Sequence, residues 1–188
     1  MKNKYFMGLF FIIVLFLSAC TKINIGIDSY PTTNQTNSKQ DVSYGIQKDQ
    51  IPPDFTLRTI EGQQYTLSNF KNENRPVLLY FFATWCPYCS EDFNTVKNIY
   101  QKYSDKVTFL AIDLDSSESA EHIKRYKDGK GLADVNFATA DKKILVDYAI
   151  THTTTKYAIG KKGTILYKGS GVFDESQWEI LLRGLANS

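Results

Sequence analysis

Cys86 and Cys89, two residues apart, are the side chains of this sequence best suited to chemistry. Thiols at that spacing can close and reopen a disulfide, and so pass two electrons to or from another disulfide. A Cys-x-x-Cys pair can also be half of a metal site. A structural zinc centre asks for four ligands, while the whole chain has three cysteines and two histidines. Cys86, Cys89 and His152 form the alternative set, with two thiolates and an imidazole suited to copper or zinc. His152 falls in a loop, however, and His122 in a charged helical stretch. A static bridge across so short a loop would stabilise little. The redox reading needs no metal and no cofactor.

The neighbouring elements decide what the pair can do. Val77 to Phe82 is a continuous apolar run of strand length, as in a buried central strand. A helix begins at Pro87, with Phe93, Val96, Ile99, Tyr100 and Tyr103 recurring along one face. Cys86 is thereby placed at a helix N-terminus, where free N–H groups and the positive dipole end favour thiolate. Proline suits the first turn because it has no N–H to leave unpaired. Cys86 is expected to be the exposed attacker. Cys89, one turn on, is expected to be the resolving thiol.

Phe55 to Leu57 and Gln64 to Leu67 read as a strand pair around Glu61-Gly62. Val107 to Ile112 reads as a second buried strand, Ser119 to about Lys127 as a helix and Lys142 to Tyr148 as a short one. Lys156 to Ile159 and Thr164 to Lys168 form a hairpin about Lys161-Lys162-Gly163. Asp174-Glu175-Ser176-Gln177 has the form of a capping box ahead of Trp178, Leu181, Leu182 and Leu185. The order β-α-β-α, hairpin, α predicts an α/β fold with a mixed central sheet between helices.

The segment Phe81-Phe82-Ala83-Thr84-Trp85-Cys86-Pro87-Tyr88-Cys89 resembles the active-site segment of the TlpA/ResA-like thioredoxin family. Pro53 to Leu57 and Leu67 to Phe70 resemble its entry strands, and the similarity runs from about Ile51 to Leu185. The resemblance implies a thioredoxin fold with an N-terminal strand-pair extension, an extracytoplasmic location and disulfide exchange with exported proteins. It also implies reduction rather than oxidation. Trp85, Pro87 and Tyr88 are then expected beside the bound partner. Asp92 stands where the family often carries an acid. It is either a proton-transfer group near the thiols or an ordinary solvated first-turn acid. Tyr80 occupies the place of the buried acid of thioredoxins proper. Thr154 falls where the family carries a cis-proline, in a loop that pairs with substrate, so Thr153 and Thr154 are expected to contact it. The Thr154 hydroxyl is expected to reach Cys86, and Thr154→Pro to keep the fold.

The start of the chain reads differently. Lys2 and Lys4 precede an apolar stretch from Tyr5 to Leu17, and Leu17-Ser18-Ala19-Cys20 follows: the anatomy of an export signal, with an ending that resembles a lipoprotein lipobox. The apolar stretch is shorter than the ~20 residues of a comfortable span. The expected organisation is a signal peptide over 1–19, a tether acylated at Cys20 over 20–50, and a thioredoxin-like domain over 51–188. The spacer is rich in Thr, Asn, Ser, Gln and Lys without periodicity. The chain carries 22 basic and 20 acidic residues. Without Lys2 and Lys4 the two counts are equal, which excludes a nucleic-acid partner held by bulk charge. The partners expected are exported proteins, a membrane redox protein and, through the acyl chains, the membrane itself.

Overall fold

The computed structural model describes residues 43–188. The expected signal segment, Cys20 and most of the expected spacer lie outside the described residues. The small antiparallel sheet of β1 (Thr56–Arg58) and β2 (Gln64–Thr66) comes first. It leads through α1 (Leu67–Asn72) to β3 (Val77–Phe82). All six residues of β3 are buried, as a strand covered on both faces requires. Helix α2 (Pro87–Tyr100) returns the chain to β4 (Thr108–Asp113), which runs parallel to β3. Then follow α3 (Ala120–Lys130), β5 (Asn136–Ala138), α4 (Lys142–Asp147), the hairpin β6 (Thr155–Ile159) and β7 (Ile165–Gly169), and α5 (Glu175–Ala186). The five-stranded sheet has the order β5-β4-β3-β6-β7, with β6 antiparallel to β3. This is the mixed sheet of the thioredoxin fold, with the two-stranded extension expected from the sequence.

Alternation along β3 divides the core in two. Leu78, Tyr80 and Phe82 face one side, packed with Phe93 and Val96 of α2, Ile123 of α3, and Trp178 and Leu182 of α5. Val77, Leu79 and Phe81 face the other, with Leu57, Phe70, Ile144, Tyr148 and Tyr157. Helix ends follow local chemistry. Ser119 and Asp141 accept from the backbones of His122 and Ile144, and Asp174 and Gln177 form the expected capping box.

β5 went unread in the sequence, and Leu67 to Phe70, expected from the resemblance as an entry strand, instead open helix α1. With three and six residues, neither element is long enough for a period to show. Residues ahead of Ile51 also make defined contacts with the domain. Asp49 N–H donates to Ile165 O at 2.7 Å and Ile165 N–H to Gln50 O at 2.9 Å, so the last spacer residues are pinned to β7.

Candidate active site

Cys86 is the N-cap of α2, with extended backbone at φ −81° and ψ 114°. Its sulfur accepts the Cys89 N–H at 3.1 Å, so the first thiol itself satisfies a free amide of the helix start. Pro87 takes the first helical position. Both cysteines are free thiols. Cys89 is fully buried, and burial pushes its thiol up to about 11, with the Tyr80 hydroxyl beside it.

The exposed attacker expected at Cys86 is corrected by the structure: the residue is only 2% exposed. The loop before β6 covers it, and the Cys86 thiol donates to Thr153 Oγ1 at 3.3 Å. Trp85 and Tyr88 stand exposed on either side, at 61% and 63%, and Pro87 is exposed between them. They form an aromatic rim around a covered sulfur.

The loop also corrects the reading of Thr154. Its hydroxyl does not reach Cys86. It donates to Thr153 O at 2.6 Å and accepts from Gly171 N–H at 3.0 Å. The residue that touches the sulfur is Thr153. Thr154 has φ +61°, a left-handed conformation that β-branched residues rarely adopt. Proline is locked near −65°, so Thr154→Pro does not fit this backbone.

Beneath the cysteines lies a polar cluster that the sequence only hinted at. Asp92 is wholly buried, so it is not the solvated first-turn acid. Its Oδ2 accepts from the Tyr80 hydroxyl at 2.9 Å and from Lys156 Nζ at 2.7 Å. Its Oδ1 accepts from Phe173 N–H at 2.8 Å and Trp178 Nε1 at 3.2 Å. Lys156 is equally buried. Its ammonium also donates to Thr154 O at 3.1 Å and Gly171 O at 2.6 Å. It lies 4.5 Å from the ring centre of Phe173 and 5.0 Å from those of Tyr80 and Trp178. Burial lowers the affinity of Lys156 for its proton, and Asp92 opposes that. A lysine inside an otherwise apolar strand was the available signal, since a charge there demands a partner. Burial pushes Tyr80 far above the ordinary phenol range, with Asp92 adding to it.

A second polar group braces the cysteine turn from the side. Thr84 donates through its hydroxyl to Glu118 at 2.5 Å and pairs with His122 Nε2 at 2.9 Å. Trp85 Nε1 donates to Asp115 at 2.8 Å. Asp113 is buried, and its Oδ2 has no partner among the described residues. Burial holds that carboxyl up at about 7. His152 is exposed and pairs with Thr151 at 2.8 Å. Among the described residues, no three His, Cys, Asp or Glu side chains cluster closely enough to hold a metal ion.

A free thiol pair at the turn from a central strand into a capped helix, on this sheet, defines a thiol–disulfide oxidoreductase of the thioredoxin superfamily. Residues 48–172 match the AhpC/TSA family, and the chain belongs to that family. It is 35% identical over 133 residues to the thioredoxin-like protein YneN of Bacillus subtilis, covering 70% of this chain and 75% of that one. It is 28% identical over 137 residues to the thiol-disulfide oxidoreductase ResA of Bacillus thuringiensis subsp. konkukian, covering 70% and 74%. The ResA match bears out the resemblance seen in the sequence. Among solved structures, the pneumococcal exposed lipoprotein thioredoxin of Streptococcus pneumoniae superimposes with a TM-score of 0.60 at 23% identity, covering 71% of this chain and all of that one (100%).

Proposed function

We propose that this protein is a membrane-anchored, extracytoplasmic reductant of disulfides in exported proteins, working through Cys86 and Cys89. One observation carries the assignment of roles. Cys86 caps the helix at the rim, while Cys89 sits deeper, in contact with Tyr80 above Asp92. Cys86 thiolate attacks a substrate disulfide, forming a mixed disulfide and releasing one substrate thiolate. Cys89 then attacks Cys86 Sγ. The Cys86–Cys89 bond forms, the second substrate thiolate leaves, and two electrons have passed to the substrate. Each released thiolate takes a proton from water.

A phenol has one proton, and that of Tyr80 is committed to Asp92. The Tyr80 oxygen therefore offers Cys89 a lone pair. On attack, the Cys89 proton passes to Tyr80 as the Tyr80 proton passes to Asp92, which later gives it to water. Trp85, Pro87, Tyr88 and Thr153 are the surface that a partner meets. Thr154 acts behind them by shaping the loop.

Insulin-disulfide reduction and the potential of the Cys86–Cys89 couple test the direction. A value near that of thioredoxin, about −270 mV, is expected. A value near roughly −120 mV, like that of the oxidant DsbA, would make the protein a disulfide-forming oxidase instead. The anchor rests on the charge, apolar run and lipobox-like ending before Cys20. Fatty-acid labelling of the wild type, lost in Cys20→Ala, is expected, and an unlabelled wild type rules the anchor out.

A further inference from the structure

Among the described residues, the Lys156 ammonium is the one group that binds both the proton acceptor beneath Cys89 and the loop that covers Cys86. We propose that Lys156 is a positioning residue of the exchange reaction: it holds Asp92 as an anion ready to receive the Cys89 proton through Tyr80. This rests on the oxidoreductase reading above and adds a counter-ion to it.

A carboxylate buried alone would take up a proton to escape the cost of its charge. A neutral Asp92 could then accept nothing from Tyr80, and the path out of Cys89 would close. Lys156 prevents this with an ion pair between two groups that have no exposure. Three aromatic ring faces around the ammonium replace part of the hydration it gives up. The three oxygens it meets, from Asp92, Thr154 and Gly171, match its three N–H donors. The site is closed, so no ligand from outside is needed to complete it. The titratable groups facing Asp92 are Tyr80 of β3, Cys89 of α2, Lys156 of β6 and Tyr167 of β7. From α5 it meets only the indole N–H of Trp178. Lys156 is the only cation among them, and the counter-charge depends on it.

Cys89 loses one proton and Asp92 gains one by way of Tyr80. The sulfur electrons form the Cys86–Cys89 bond as the Cys86–substrate bond breaks. Lys156 keeps its own proton throughout. Its effect appears in the second half of the reaction, where Cys89 attacks, and not in the first.

An aromatic disulfide reagent that releases a coloured thiolate separates the halves. The first burst reports attack by Cys86, and the second reports resolution by Cys89. Lys156→Met removes the charge at similar volume. Lys156→Gln also removes the charge, but keeps an amide donor for the loop carbonyls and serves if the methionine variant does not fold. In either folded variant, the first phase should stay close to wild type. The second should slow by roughly a hundredfold at neutral pH. Its rising limb should move about one to three pH units upward and recover its plateau there. A limb that stays at the wild-type pH, with the rate lowered equally throughout, would mean that Lys156 is only structural and would overturn the proposal. A wild type that shows no second phase would instead defeat the oxidoreductase reading.

Discussion

The two faces of the central sheet solve the problem of buried polarity in opposite ways. On the α4 side, Tyr148 and Tyr157 bury phenols whose hydroxyls go to neutral backbone carbonyls, Pro53 O and Tyr148 O, each at 2.8 Å. On the cysteine side, the same sheet buries a lysine and an aspartate at 2.7 Å with a tyrosine between them and the thiol. A core needs only the first arrangement to be stable, since replacing a buried ion pair by apolar groups is often neutral or better. Charge is retained on the side that carries the thiols. The difference marks the working face without reference to the cysteines.

Substitutions separate the two faces. The largest effect belongs to the thiols themselves. Cys86→Ser should abolish exchange outright, and Cys89→Ser should accumulate mixed disulfides visible on non-reducing gels. If Cys89 alkylates before Cys86, the roles are reversed. Asp92→Ala strands a buried ammonium and should cost about 3–5 kcal/mol in urea unfolding. Replacing both partners, as in Lys156→Met with Asp92→Asn, should restore most of that stability without restoring resolution of the mixed disulfide. Recovery of both would make the charged face no different from the neutral one.

Asp113 sharpens the contrast through pH. An unfolded aspartate titrates near 3.9, whereas burial holds this one at about 7. A carboxyl that binds its proton more tightly when folded favours the fold below the lower value. That contribution is lost as pH rises through the higher one. Asp113→Asn should therefore raise stability at neutral pH, by about 1–3 kcal/mol, and flatten the fall seen in melting curves across that window. On the neutral face, Tyr157→Phe should cost about 1 kcal/mol and leave both exchange phases unchanged. A change in either phase would show that the faces are coupled.

Much of this was legible in the sequence. The apolar run from Val77 to Phe82, the helix starting at Pro87 and the capping box at Asp174 obey local rules, and local rules are what a sequence displays. β5 was not legible, because three residues acquire strand geometry only from pairing with β4. Asp92 was found as a candidate, yet its side-chain partners lie 12, 64 and 86 residues away, and spacing along one helix cannot bring them together. Lys156 was passed over as one more strand residue. The loop was misjudged by one position. The resemblance pointed to Thr154, but its left-handed backbone turns that hydroxyl toward Gly171 and leaves Thr153 over the sulfur.

The bonds between Asp49, Gln50 and Ile165 bear on how the domain behaves among its own copies. β7 is the last strand of its sheet, and the open side of such a strand is a template on which a second molecule can add. The incoming chain occupies part of that template before a stranger can. A shortened form that begins after Gln50 would keep the thiols and their network, yet expose backbone groups that invite edge-to-edge aggregation.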